Sequence, residues 1–220
     1  VNEQELAYLD DLIAKGGLTE VAIEELTARK LELKTAMHEL NNEIQNFKLD
    51  NLTNQYENAI DDVNDKIALQ EAKLQHLDTS SERYTQTLRN IKDGYEDSSE
   101  AVQKHINDLQ KLIDTQQITG DNLDATIDKI NDLKVELENL HAQIQEKNYE
   151  VVVNIKTQYD AQIDDLQFEL DRSKAIQGMY EEGSGNYNDE LKKQIALTQQ
   201  LMEAIDKSRR ELQKEMQTAN

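Results

Sequence analysis

Residues 23–47 read IEELTARKLELKTAMHELNNEIQNF, and in that stretch Ile23, Leu26, Leu33, Met37, Leu40, Ile44 and Phe47 fall in heptad steps. Such steps line apolar side chains along one stripe of an α-helix, and a stripe kept over the whole stretch is a coiled-coil seam. Only Lys30 breaks the series. A second run holds Tyr56, Ile60, Val63, Ile67, Leu74 and Leu77, with Gln70 as its polar member. High charge and low hydropathy alone would permit disorder, but a disordered chain has no reason to keep a register. The fold class read from the pattern is all-α: a long antiparallel coiled-coil or helical-bundle rod.

The rod is made of two tandem repeats of about 103 residues. Tyr56, Ile60, Asp61, Asp62 and Val63 recur as Tyr159, Ile163, Asp164, Asp165 and Leu166. Tyr84 and Leu88 recur as Tyr187 and Leu191, and Ala101, Val102 and Leu109 as Ala204, Ile205 and Leu212. Nearer the N-terminus the offset grows by one, so that Ile23, Leu26 and Leu33 match Ile127, Ile130 and Leu137. Residues 1–15 then read as a helical stub ending a preceding unit, 16–117 as the first repeat and 118–220 as the second. Units of this kind contact mainly their neighbours.

Helix breakers fall at equivalent places. Gly16-Gly17 matches the region of Gly120, and Asp78 to Glu82 matches Glu181 to Asn186. Thr79 and Glu82 have capping-box spacing, and Asp121 with Asp124 reads as an N-cap followed by acid in the first turn. The helix is expected to run through Gly94, at a cost of about 1 kcal/mol. The expected helices are 19–77 and 82–116 in the first repeat, 122–180 and 187–218 in the second. At 1.5 Å per residue the long ones reach roughly 90 Å and the short ones roughly 50 Å.

The frame set by Leu26, Leu33, Leu40 and Phe47 does not extend to Tyr56, Val63 and Ile67, so the seam rotates between Phe47 and Tyr56. A short helix can therefore run back along the second half of one long helix and hand over to the first half of the next. The resulting zig-zag resembles spectrin repeats in topology, without their core Trp. Simple hairpins or a parallel homo-oligomer are the competing arrangements. The core positions are expected to be Ile23, Leu26, Leu33, Leu40, Phe47, Ile60, Val63 and Ile67, with Ile127, Ile130, Leu137, Leu140, Ile163, Leu166 and Leu170 as counterparts.

Composition narrows function by exclusion. The 220 residues include no Pro, Cys or Trp, and absent Pro suits uninterrupted helices. A net charge of −21 disfavours nucleic acid and anionic membranes as partners. Without Cys there is neither a disulfide framework nor a thiolate site. No apolar run reaches membrane-span length, and no signal-peptide pattern opens the chain. Val1 is not Met and both ends carry helical sequence, which reads as a piece of a longer chain or a processed product.

No enzymatic chemistry, cofactor or metal is expected. Asp61-Asp62 and Asp164-Asp165 recur, but adjacent helical positions point about 100° apart and cannot converge on one atom. Asp61 to Asp65 lacks the glycine and terminal glutamate of a calcium loop. His38, His76, His105 and His141 show no metal-ligand spacing. Gly183-Ser184-Gly185 follows no strand and precedes no Lys, and Ser80-Ser81 is turn chemistry. Tyr56, Tyr84, Tyr159 and Tyr187 read as amphipathic filling beside turns, with a recurring partner contact as the alternative. Val151-Val152-Val153 is a point of close packing or a wider face meeting a third helix.

The stretches Tyr159–Gln177 and Ser184–Gln194 resemble coiled-coil segments of tail tape-measure proteins from long-tailed phages and prophages of Gram-positive bacteria; the first repeat carries a weaker copy. The resemblance covers about residues 50–115 and 150–218. It implies a structural virion protein that runs inside the tail tube, sets tail length by its helical extent and leaves before DNA passes. Its partners would be itself, through intramolecular helices or a homo-oligomer, or other structural proteins. A rod-like protein-binding spacer of a bacterial surface or cytoskeletal protein is the other expected reading.

Overall fold

The computed structural model describes residues 2–218; Val1 of the stub and Ala219 and Asn220 of the second repeat lie outside them. It is all-α. Five helices follow one another: α1 (Asn2–Ala14), α2 (Glu20–Leu74), α3 (Glu82–Asp114), α4 (Asp121–Gln177) and α5 (Gly185–Thr218). No strand occurs among the described residues. The two long helices stop a little before the expected ends because their last turns tighten. His76 and Leu77 donate their N–H groups three residues back, as do Met179 and Tyr180.

Local capping fixes the turns. Ser81, and not Thr79, caps α3: its Oγ accepts from the Tyr84 N–H at 3.2 Å. Ser184 caps α5 in the same way, accepting from the Tyr187 N–H at 3.2 Å. A serine hydroxyl at that position satisfies one of the free N–H groups of the first turn. Asp78 closes the preceding turn, accepting from the Ser80 N–H (2.9 Å) and hydroxyl (2.8 Å). These bonds hold its carboxyl below the usual value. At the other end of α3, Gln117 N–H reaches the Leu112 carbonyl and Gln116 N–H the Ile113 carbonyl, both at 2.9 Å. That is a Schellman motif with Gln116 in the left-handed position, at φ 56°. Asp121 opens α4, with Asp124 in its first turn.

The chain forms two compact units, each discontinuous in sequence and each drawing on both repeats. Unit 1 takes 1–58 and 103–134; unit 2 takes 59–102 and 135–220. In unit 1, α1 lies on α2 through Glu5–Arg29 at 3.7 Å and through Asp10–Lys30. Gln45, buried, grips Thr119: its Oε1 accepts from the backbone N–H at 2.9 Å, and its Nε2 donates to Thr119 Oγ1 at 3.2 Å. Lys48 meets Gln117 at 2.9 Å, and Tyr56 stacks on His105 with centroids 4.6 Å apart. Positions rise along α2 as they fall along the segment opposite, so the pairing is antiparallel.

In unit 2, α3 and α4 are antiparallel through Thr85–Asn154 and Ser99–His141, and α4 and α5 through Tyr159–Glu211 and Ser173–Glu190. The helix does continue through Gly94. A Cβ there would stand 2.6 Å from Cγ1 of Ile67, so glycine lets α3 approach α2 closely.

Of the expected core, Ile67, Ile130 and Leu170 are buried, while Leu26, Leu33, Ile60, Val63, Leu137, Leu140, Ile163 and Leu166 are half-buried. Ile23, Leu40, Phe47 and Ile127 are exposed instead. On α2 the inward stripe runs Leu26, Lys30, Leu33, Met37 and then Gln45, Leu52, Tyr56, Ile60. It changes phase before Gln45 and not after Phe47. Met37 and Gln45 stand eight residues apart, one more than a heptad, and that extra residue leaves Leu40, Ile44 and Phe47 off the seam. Lys30 is a seam member held by Asp10 of α1, not a break. At the start of α4, Thr126 takes the inward place beside Ile130 and Leu133. Its hydroxyl bonds the Asn122 carbonyl at 2.6 Å, which makes burial tolerable and leaves Ile127 outside. The largest fully buried side chains include Leu88, Ile91 and Leu109 of α3 and Val151 and Ile155 of α4, none of them among the expected positions.

Candidate functional site

Unit 2 contains a point where four helices meet. Leu88 of α3 and Val151 and Ile155 of α4 form a buried apolar cluster. Leu74 at the end of α2, Tyr84 of α3, Tyr159 of α4 and Leu212 of α5 pack around it. The β-branched run in α4 thus does meet more than one helix: Val151 is buried, while Val153 stays exposed on the flank.

Above this cluster α4 holds the start of α3 with two amides one turn apart. Asn154 Nδ2 donates to the Thr79 carbonyl at 2.8 Å, and Asn154 Oδ1 accepts from the Thr85 hydroxyl at 2.6 Å. Gln158 Nε2 is shared among the Ser81 carbonyl (2.9 Å), Thr85 Oγ1 (2.8 Å) and Asn154 Oδ1 (2.8 Å). The Ser81 carbonyl already accepts from the Tyr84 and Thr85 N–H groups at 3.0 and 3.4 Å, whereas the Thr79 carbonyl lies in the turn and needs a partner from elsewhere. Asn154 supplies that partner, and Gln158 adds a further bond at Ser81, so the two amides tie the start of α3 to α4.

A heptad pattern passes over this clamp, yet the sequence carries its sign. Asn154-x-x-x-Gln158-Tyr159 repeats Asn51-x-x-x-Gln55-Tyr56. Both amides of the first copy are exposed, and Gln55 Nε2 reaches Asn51 Oδ1 at 3.4 Å.

Two clefts flank the clamp. One is an open groove of about 750 Å³ lined by Tyr84, Tyr149, Val153, Thr157, Ala161, Asp165 and Leu166, among others. The other, about 370 Å³, is charged: Arg89, Lys207, Glu211 and Lys214 line it with Tyr159. Arg89 Nε donates to Glu215 at 2.7 Å and its guanidinium lies 3.6 Å from Glu211. The Tyr159 hydroxyl donates to Glu211 at 3.2 Å. Burial, then the Glu211 charge and this hydrogen bond, push the phenol up to about 12. Farther along, burial followed by the charge of Glu71 raises Tyr95. Burial is the largest influence and opposes the charge on Lys147, but its bond to Glu150 at 3.0 Å and the charges of Glu150, Tyr95 and Glu146 together raise it.

The recurring acids are not drawn together. Asp61, Asp62, Asp164 and Asp165 are all exposed, and only Asp165 reaches the groove wall. His38 contacts Asn42, His105 stacks on Tyr56 and His141 meets Ser99, while His76 is exposed beyond the end of α2. Among the described residues no group of three or more His, Cys, Asp or Glu is arranged to hold a metal ion. Tyr84 and Tyr159 sit at the junction and Tyr187 is half-buried in the first turn of α5. A buried apolar cluster, hydrogen-bonded amides and a charged cleft thus meet at this point of unit 2.

Residues 68–163 match a family described as a protein of unknown function, DUF1759. The matched stretch runs from the end of α2 through the Asn154–Gln158 clamp. No curated protein and no solved structure matches the chain. Among the described residues no helix is long and apolar enough to cross a membrane.

Proposed function

We propose that the chain is a non-catalytic helical spacer belonging to the tape-measure protein of a phage or prophage tail, assembled in the host cytoplasm and housed in the virion tail. The observation that supports this reading is the repetition of length. Each repeat supplies one very long helix, of 55 residues in α2 and 57 in α4, and one of 33 or 34. Equivalent serines cap the shorter helices, and the stretches resembling tape measures lie in α4 and α5. Its mechanism is mechanical: helical rise turns residues into distance at about 1.5 Å each. The acidic charge supports partners that are structural proteins or the chain itself, and neither nucleic acid nor membrane.

The test is a tail-length measurement. Deleting one repeat in frame from the parent gene of a tailed phage is expected to shorten the tail by about 150 Å if the segment is measured as extended helix. Tails of unchanged length in electron micrographs would sink the proposal. The open groove beside the clamp favours a second reading, a protein-binding spacer of a bacterial surface or cytoskeletal protein. Genes for wall anchoring or secretion beside the parent gene, in place of tail genes, would favour it.

A further inference from the structure

Repeat-equivalent positions on α3 and α5 have opposite surroundings. Leu88 of α3 is 1% exposed and its equivalent Leu191 of α5 is 43% exposed. Val102 is 0% exposed and its equivalent Ile205 is 46%. On α3 this face meets α4: Leu88 packs on Val151 and Ile155, Thr85 bonds Asn154, and Ser99 meets His141. On α5 the same face carries Leu191, Ile195, Met202 and Ile205, all exposed.

The complementary half is open on α2. By the repeat, the α4 residues that receive α3 correspond to the stretch of α2 from Met37 to Gln55. There Leu40, Ile44 and Phe47 are exposed, and so are the clamp amides Asn51 and Gln55. Helix α1 occupies α2 farther toward the N-terminus, around Arg29 and Lys30. One chain therefore displays both halves of an interface that it also builds internally between α3 and α4.

We propose that α5 of one copy docks antiparallel on residues 37–55 of α2 in a second copy, repeating the α3–α4 contact between molecules. The register follows from the internal pair. Thr85–Asn154 becomes Asn188 on Asn51, with the Ser184 carbonyl at Gln55, and Ser99–His141 becomes Met202 on Met37. The two faces differ, so each copy offers one of each to other copies. The contact stands whether or not the chain serves in a tail. The contact spans about four helical turns. That is small for a specific interface, so association is expected to be weak and to grow with concentration. With −21 charges on each copy, it should strengthen as salt screens repulsion.

The experiment is sedimentation velocity across concentration at low and high salt, on the wild type, Ile195→Glu and Phe47→Glu. Both substituted side chains are exposed, and circular dichroism would verify that each variant keeps its helices. The wild type is expected to exceed its monomer mass of 25.3 kDa progressively with concentration and salt. Each variant alone stays monomeric. An equimolar mixture of the two forms dimers, because one retains α2 and the other retains α5. A wild type that remains monomeric throughout overturns the proposal. So does association that either variant leaves intact, or a mixture that fails to pair.

Discussion

Leu88 and Leu191 are the same residue at the same repeat position, and they separate packing from pattern. Leu88 is enclosed by α4 and its neighbours, so Leu88→Ala removes contacts on every side and is expected to cost about 2–5 kcal/mol. Leu191 faces outward, and Leu191→Ala should change stability by less than about 0.5 kcal/mol in the monomer. Urea unfolding of the pair checks both; equal losses would mean that the two positions are equally packed. Gly94 gives a sharper case. Alanine is the better helix former by about 1 kcal/mol, but its Cβ would meet Ile67 Cγ1 at 2.6 Å. That atom is near the backbone and cannot swing clear, so Gly94→Ala is expected to destabilise by about 1–3 kcal/mol. In an Ile67→Ala background the same Gly94→Ala change is expected to cost less, and an equal cost in both backgrounds would place the strain elsewhere. Tyr159 adds a pH dependence. Its folded-state phenol ionises at about 12, against about 10 in an unfolded chain. Below pH 10 both states are protonated and the stabilisation is whole. Between those values the unfolded state loses its proton first, so stability falls as pH rises. Tyr159→Phe should flatten that part of the melting profile; an unchanged slope would assign it to other tyrosines.

At the scale of elements, Gln116 shows how a helix end can be held against a residue's preference. The Schellman bonds from Gln116 and Gln117 demand a left-handed residue, which costs a side chain about 1–2 kcal/mol. Gln116→Gly removes that cost and adds unfolded-state entropy. The net expectation is a gain of roughly 0.5–1 kcal/mol, read as a higher urea midpoint, and a loss would mean that the Gln116 side chain contributes a contact of its own. The elements themselves were legible from sequence because heptads, glycines and the absence of Pro all act locally. Their faces were less so. A heptad template follows apolar residues, whereas α2 turns inward Lys30, Gln45 and Tyr56, each held by a partner on another segment. Thr126 displaces Ile127 because its hydroxyl can be satisfied within its own helix. The Asn154–Gln158 clamp escaped for a related reason: polar residues at one-turn spacing look like a solvated surface until the turn they bind is known. Only their recurrence at Asn51 and Gln55 marked them in the sequence.

At the scale of the whole molecule, charge opposes what the seams achieve. The chain carries 45 acidic against 24 basic residues. Folding brings these charges closer than they stand in an expanded chain, so self-repulsion acts on the native state more than on the unfolded one. The ion pairs offset little of it, since many join neighbours one turn apart on exposed surface, such as Lys174–Asp171 and Lys192–Asp189. Arg89 between Glu211 and Glu215 is better protected from solvent. Screening should therefore weaken the repulsion more than it weakens the pairs. Raising salt from roughly 20 to 500 mM, a change in screening length from about 20 Å to about 4 Å, is expected to raise the melting temperature. A gain of about 1 kcal/mol would correspond to about 2–4 °C for a chain of this size. The measurement belongs on Ile195→Glu at high dilution, so that association between copies cannot supply the rise. A melting temperature that falls with salt would mean that the ion pairs, and chiefly those of Arg89, outweigh the net repulsion; Arg89→Met would then lose the dependence.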